Sequence, residues 1–436
     1  MTNATGCDYP GGGTHPDGGQ PDGHSACAAA LAVPDQPPPP AARRDSPGDV
    51  ASVAITVEGT SGYAARRATF GRILAAADVD LAWLPTGGDL EYLTGLQRRV
   101  PTFGDVNYTH GWVAGAFMLP GRDPIFLLPR NFVEFDLPEG VPGEVISVDE
   151  MDDGDALFAQ AAAALGPAER IAVGARTWGS AIMRLLAAFG GAELVDASKL
   201  VNRMRRIKTP DELALMKRAC SLADTAMAEV SDRVRAGVTE LELGEEVNYH
   251  LLRLGARTWS FDTAVWSMGP GDARDANVRI SQQALRGDSG ISFDFGAVIE
   301  GYCSDFGRTI HIGDPGEEYR RVYEVVMAAQ QAGIDTVRPG VTASAVHRAT
   351  RQVIVDAGYG DWFRHRTGHC IGLDVHEEPF ISPEDETSLE AGMTFTIEPS
   401  VFWPGRVGVR VEDVVVCTAD GGVKLNEYST DLVAND

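Results

Sequence analysis

Ile291-Ser292-Phe293-Asp294-Phe295-Gly296 places one acid inside a segment that otherwise reads as a buried strand. An unpaired carboxylate there costs several kcal/mol or stays protonated. Asp305 follows eleven residues later, after the turn Glu300-Gly301-Tyr302. That spacing predicts two adjacent strands with the carboxylates side by side. Glu398 ends another apolar strand, Thr394-Phe395-Thr396-Ile397, and Glu412 lies within Val409-Arg410-Val411-Glu412-Asp413-Val414-Val415-Val416. Four acids in strand interiors repel one another unless a cation neutralises them. His369, in Thr367-Gly368-His369-Cys370-Ile371-Gly372, supplies a nitrogen.

Taken singly, each residue has an ordinary reading. A strand aspartate is commonly a hydrogen-bonded structural residue, and a histidine beside glycine a turn residue. Five such residues within about 120 positions point instead to a metal site. One nitrogen and mostly oxygen donors suit two hard-to-borderline divalent ions, manganese first, with cobalt, iron or zinc as alternatives. Two such ions roughly 3.5–4 Å apart can share a hydroxide and polarise a carbonyl.

Long helices flank these segments. Thr209-Pro210-Asp211-Glu212 is a capping signal, so a helix is predicted from there to about Val234. Others are predicted over Glu240–Leu254, Glu317–Thr336 and Ala343–Ala357. Met393–Ile397 and Val407–Val416 read as half-buried strands, and Asp420-Gly421-Gly422 as a hairpin turn before a last short strand. Long helices on one face of a largely antiparallel sheet make an α+β domain, set at 206–436.

Upstream, helices are predicted over Ala64–Ala77, Ala156–Leu165 and Ala181–Phe189. Short strands are predicted at Leu81–Leu84, Ala114–Leu119, Pro124–Leu128 and Arg170–Val173. This alternation predicts an α/β domain over 56–205. It has no glycine-rich phosphate loop, so no nucleotide cofactor is assigned. Residues 1–55 carry Gly11-Gly12-Gly13 and the prolines Pro37 to Pro40, and are expected to be a disordered tail. His15 and His24 within it read as incidental.

The chain has 436 residues and a formal net charge of −25, which disfavours nucleic acid as a partner. No apolar run is long enough for a membrane span or a signal peptide. Ser25-Ala26-Cys27 lacks the hydrophobic stretch that a lipoprotein leader needs. The six cysteines form no CxxC pair, and reduced thiols in a cytoplasm are the expectation.

From about Arg206 onward the chain resembles the pita-bread metallopeptidases, which include methionine aminopeptidase, aminopeptidase P and prolidase. The resemblance is carried by Asp294-Phe295-Gly296, by the run Gly301 to Thr309, by Thr367-Gly368-His369 through His376-Glu377, by Thr396-Ile397-Glu398-Pro399 and by Arg410-Val411-Glu412-Asp413. The upstream part is similar to the creatinase-type N-terminal domain, with Tyr92-Leu93-Thr94-Gly95 and Arg206-Ile207-Lys208 as local matches. Together these cover roughly 57–430. Asp-Phe-Gly also marks protein kinases, but the other kinase motifs are absent.

The resemblance implies a dinuclear Xaa-Pro-type aminopeptidase or dipeptidase acting on short peptides through a metal-bridging hydroxide. Asp294 would chelate one ion, Asp305 and Glu412 would bridge both, and His369 and Glu398 would complete the other. Glu398 would also carry the proton. His365 and His376 match the substrate-side histidines, and Arg410 an arginine behind the ligands. For His365, flanked by Arg364 and Arg366, a surface histidine is the competing reading. A homodimer is implied as well. One departure stands out: the family's peptidases usually carry a histidine about seventeen residues before the first metal aspartate, and here that neighbourhood, Asp275-Ala276-Asn277-Val278-Arg279, has none. It favours an alternative, a hydrolase of a non-peptide C–N bond or an osmolyte lyase. A non-enzymatic binding protein on this fold is the third reading, against which all five ligand positions are kept.

Overall fold

The structure is a computed structural model that describes residues 62–98, 110–137, 141–270 and 280–436. The tail expected over 1–55 and Asn277 lie outside the described residues.

The first part is a six-stranded sheet with helices. In chain order it runs α1 (Tyr63–Ala76), β1 (Leu81–Pro85), α2 (Gly88–Thr94), β2 (Gly115–Met118), β3 (Ile125–Pro129), α3 (Arg130–Phe135), β4 (Glu144–Val148), α4 (Gly154–Leu165), β5 (Arg170–Val173), α5 (Gly179–Ala188), β6 (Glu193–Asp196) and α6 (Ala197–Arg205). The strand order is β4-β3-β2-β1-β5-β6. β1 pairs parallel with β5 and antiparallel with β2. Trp83 anchors the core, with the rings of Phe117 and Phe158 4.7 and 5.2 Å away. β4 and β6 were not expected from the sequence. They are the two sheet edges, and each is short, with exposed Glu144 and Ser147 in β4 and Glu193 and Asp196 in β6 bounding its apolar residues.

The second part begins with α7 (Pro210–Ser231), where the capping box forms as expected. The Glu212 backbone N–H donates to Thr209 Oγ1 at 3.3 Å, and Glu212 Oε2 accepts from the Thr209 N–H at 2.7 Å. It continues through α8 (Glu240–Arg253), β7 (Thr258–Trp259), β8 (Ala264–Met268), β9 (Ser289–Phe295), β10 (Ala297–Ile299), β11 (Tyr302–Cys303), β12 (Phe306–Ile312), α9 (Gly316–Thr336) and α10 (Ala343–Asp356). It ends with β13 (Gly368–Cys370), β14 (Glu377–Ile381), β15 (Thr394–Ile397), β16 (Ser400–Trp403), β17 (Val407–Arg410), β18 (Asp413–Cys417), β19 (Gly422–Lys424) and β20 (Val433–Asn435).

Two sheets dominate, β20-β12-β9-β8 and β14-β13-β15-β18-β19. Met227 and Val230 of α7 and Leu243 and Val247 of α8 bury against Phe293, Phe295 and Phe306 of the first. Ile334 of α9 and Val346 of α10 bury against Phe395, Ile397 and Val415 of the second. Pairing is antiparallel except for β20, which runs parallel to β12 and which no sequence signal marks.

Two expectations are corrected. Val407–Val416 is not one strand. It breaks at Val411-Glu412, because β17 pairs with β16 whereas β18 pairs with β15. In addition, of the four acids only Asp294 lies within a strand. Asp305 sits between β11 and β12, Glu398 just past β15, and Glu412 between β17 and β18. At strand ends the chain can change direction and aim these side chains at one point.

Candidate metal centre

The hairpin from β9 to β12 sets the first two acids. Asp294 is opposite Gly307, so Asp305, two residues before Gly307, falls on the same face. The turn between β10 and β11 is Glu300-Gly301, both with positive φ (46° and 86°). This is the geometry of a two-residue hairpin. Glu412 is held on β12 from the other side. Its N–H donates to the Gly307 carbonyl at 2.9 Å. A Cβ on residue 307 would come within 2.7 Å of Glu412 Oε2, so glycine is required there.

Asp305, His369 and Glu412 each present a ligand atom within 4.8 Å of the other two, and all three are buried. His369 Nε2 lies 3.4 Å from Asp305 Oδ2 and 3.6 Å from Glu398 Oε1. His369 Nδ1 is 3.1 Å from the Cys370 carbonyl, which places its hydrogen there and turns the Nε2 lone pair toward the acids. Asp294 stands slightly apart. Its Oδ2 accepts from Arg410 Nη1 at 2.6 Å, and that nitrogen is 3.7 Å from Glu412 Oε2. The structure therefore groups Asp305, His369 and Glu412, sets Glu398 beside His369, and leaves Asp294 in the same cleft with Arg410 between it, Glu398 and Glu412.

The donor set fits cations. Asp305 Oδ1 and Glu412 Oε2 are buried with no hydrogen-bond partner. An orphaned buried carboxylate oxygen is costly, and two in one cluster call for positive charge. Burial, followed by interactions that include repulsion from neighbouring acids, raises the Asp305 carboxyl and lifts Glu412 well above its ordinary range. Burial likewise lifts Glu398 to about 7, although Arg410 and His369 pull it down. Burial lowers the His369 imidazole, but the hydrogen bond to Asp305 and the Glu398 charge outweigh this and leave it raised.

A group whose pKa is raised by folding stabilises the fold below its ordinary pKa and loses that contribution as pH rises through the folded value. For Glu398 the window runs from 4.5 to about 7, and His369 has the same sign. Metal-free protein should therefore melt lower at pH 8 than at pH 6, by roughly 5 °C. Divalent ions bind the deprotonated ligands, so the Tm gained on loading should be larger at pH 8. Calorimetry of chelated and loaded protein at both pH values checks this. Equal gains would contradict it.

His365 is half-buried in the same cleft rather than a surface histidine. Its Nδ1 is 2.7 Å from the Arg366 carbonyl and its Nε2 2.6 Å from Ser400 Oγ. Burial, then the Arg410 charge, pushes its pKa down to about 3, so the ring is neutral at ordinary pH. His376 is exposed, with its ring 4.1 Å from that of His369. The cleft has a volume of about 1530 Å³ and includes all five acids and histidines of the cluster, together with His365, His376 and Arg410. Sequence reading missed Trp266 and Phe402, which wall the cleft, and Ser400, which holds His365. Nothing in their local sequence marks them, because their neighbours come from distant strands.

Comparison with known proteins adds independent findings. Residues 214–419 match the model of metallopeptidase family M24, and residues 66–207 match the creatinase/prolidase N-terminal domain. An uncharacterised peptidase of Staphylococcus epidermidis is 30% identical over 359 residues, covering 82% of this chain and 97% of that protein. An Xaa-Pro dipeptidase of Pyrococcus furiosus is 37% identical over 234 residues, covering 54% of this chain and 67% of that protein. Among solved structures, prolidase from Thermococcus sibiricus superposes with a TM-score of 0.79 at 29% identity. That match covers 86% of this chain and 100% of the other.

Proposed function

The chain belongs to metallopeptidase family M24, and on that premise we propose that it hydrolyses short peptides at Xaa-Pro bonds. The observation that carries this reading is the buried cluster of Asp305, His369 and Glu412, with two carboxylate oxygens left for cations. The family implies divalent metal ions; that there are two, and that they are manganese, is part of the proposal. Asp294, Asp305, His369, Glu398 and Glu412 would hold them. Bound there, they would supply Lewis acidity for the scissile carbonyl and acidify an attacking water.

The protein's own groups do the remaining work. Glu398, kept ionised beside bound cations, takes a proton from the attacking water and returns it to the leaving amine. His376, exposed beside His369, donates to the oxygen that gains charge. His365 stays neutral and holds its orientation through Ser400. Arg410 fixes Asp294 and offsets the acid cluster. The cleft volume suits a short peptide rather than a folded chain.

His376→Ala is expected to lower kcat about 10²-fold with bound metal unchanged. Kinetics with elemental analysis check it, and metal loss would place His376 among the ligands instead. Asn277 keeps a second reading open, a hydrolase or lyase of a small non-peptide substrate. Manganese-loaded protein offered Xaa-Pro dipeptides and tripeptides decides: turnover supports the peptidase, and inertness with metal bound supports the alternative. The homodimer, the cytoplasmic location and the boundaries at 55/56 and 205/206 belong to the same proposal. Among the described residues no helix is long and apolar enough to cross a membrane. Light scattering tests the dimer.

A further inference from the structure

Between the end of β13 at Cys370 and the start of β14 at Glu377 the chain has no regular structure, yet it carries His376. Two buried arginines from upstream pin this loop. Arg98, just beyond α2, donates to the Leu373 carbonyl, and at 3.1 Å to the Gly301 carbonyl; its other terminal nitrogen is paired with Glu91. Arg205, the last residue of α6, donates to Asp89 Oδ1 and Asp374 Oδ2, each at 2.7 Å, and to Glu377 Oε1 at 2.5 Å. Lys208 Nζ takes the other Glu377 oxygen at 3.1 Å. Asn202 Nδ2 donates to the Glu378 carbonyl at 3.0 Å. Asp374 and Glu377 thus flank His376 and are tied to one guanidinium.

The surroundings are shaped for this arrangement. A Cβ on residue 88 would lie 2.6 Å from Asp374 Oδ2 and 3.1 Å from Arg205 Nη1. A Cβ on residue 372 would meet Glu377 Oε1 at 2.8 Å. Burial alone would raise the Asp374 carboxyl, but Arg205, then Arg176 and Arg98, hold it at about 2. The carboxylates therefore stay charged and paired, and such a pair orients strictly because an unpaired member is so costly. Within the loop itself the backbone is closed by few bonds, including Gly372 N–H to the Asp374 carbonyl at 3.0 Å.

We propose that Arg205, assisted by Arg98, is a positioning residue for His376, so that the N-terminal part of the chain sets the active-site geometry of its own catalytic part. The kinetic form of this proposal rests on the role given to His376 above. Arg205→Lys keeps the charge but loses the fork that spans three carboxylates. It is expected to lower kcat about 10-fold with KM and metal content unchanged. In a His376→Ala background the same change should cost nothing further, because the group it positions is gone. Multiplicative losses in the double variant would mean general structural damage and overturn the proposal. If Arg205→Lys does not fold, Asp89→Asn removes only one partner of Arg205 and should give a smaller loss with the same non-additivity.

A readout without substrate separates this proposal from the peptidase reading. In zinc-loaded, histidine-labelled protein, the imidazole signal that disappears in His376→Gln should shift or broaden in Arg205→Lys, while those of His311 and His347 stay in place. An unmoved His376 signal overturns the clamp even if peptides are cleaved. Failure to cleave any Xaa-Pro peptide, with the signal moved, counts against the substrate assignment alone.

Discussion

Glu398→Gln is expected to lower kcat about 10³-fold, the loss of a proton carrier that is also a ligand. Glu398 sits just past β15, with Thr396 Oγ1 3.2 Å from its Oε1 and the His369 ring nitrogen 3.6 Å from the same oxygen. Without metal, burial brings its pKa to about 7, and bound cations would lower it, leaving a carboxylate placed to accept a proton. Glutamine keeps the size and the oxygen but cannot carry the proton. KM should change little, since the substrate-facing histidines are untouched. Steady-state kinetics with saturating metal test this. Turnover within a few-fold of wild type would remove Glu398 from the reaction.

The second large effect is on metal binding. Glu412→Gln should weaken divalent-ion affinity at least about 10²-fold and abolish activity at ordinary metal concentrations. It should do so without lowering the Tm of the metal-free protein. Glu412 is buried, its Oε2 has no hydrogen-bond partner, and repulsion from Asp305, Glu398 and Asp294 adds to burial in keeping it protonated without cations, although Arg410 pulls the other way. A neutral amide of the same shape stands in for that protonated carboxyl. Titration calorimetry with manganese and paired melting curves give both numbers. A metal-free variant that melts far below wild type would mean that Glu412 supports the fold rather than the ions.

Much of the centre was legible because its acids interrupt or adjoin apolar runs. Asp294 in Ile-Ser-Phe-Asp-Phe-Gly is conspicuous without any structure, and Asp305 lands on the same face because strand periodicity requires it. The capping box at Thr209 is equally local, and α7 begins where it says. What the sequence hid is set by long-range pairing. The break at Val411-Glu412 depends on which strands take β17 and β18 as partners, and the run Val407–Val416 carries no mark of it. Edge strands β4 and β6 escaped because their short apolar runs, Val145-Ile146 and Leu194-Val195, are bounded by exposed polar residues. The arginines were the least visible: Arg98 and Arg205 act on carbonyls and carboxylates 275 and 172 residues away.

The position of the histidine that the family's peptidases usually carry is the feature that decides chemistry most. Here it is Asn277, which can donate a hydrogen bond but cannot carry a proton. The five proposed ligands lie elsewhere in the sequence. In the proposed reading this position bears on the substrate, which is why the peptide panel separates the two readings of function.

The central claim is that these buried acids tolerate one another only around cations. Anomalous diffraction from crystals grown with manganese tests it most directly. The account predicts manganese peaks enclosed by Asp294, Asp305, His369, Glu398 and Glu412. Active crystals with no anomalous density among those side chains, or with manganese bound only elsewhere, would contradict it.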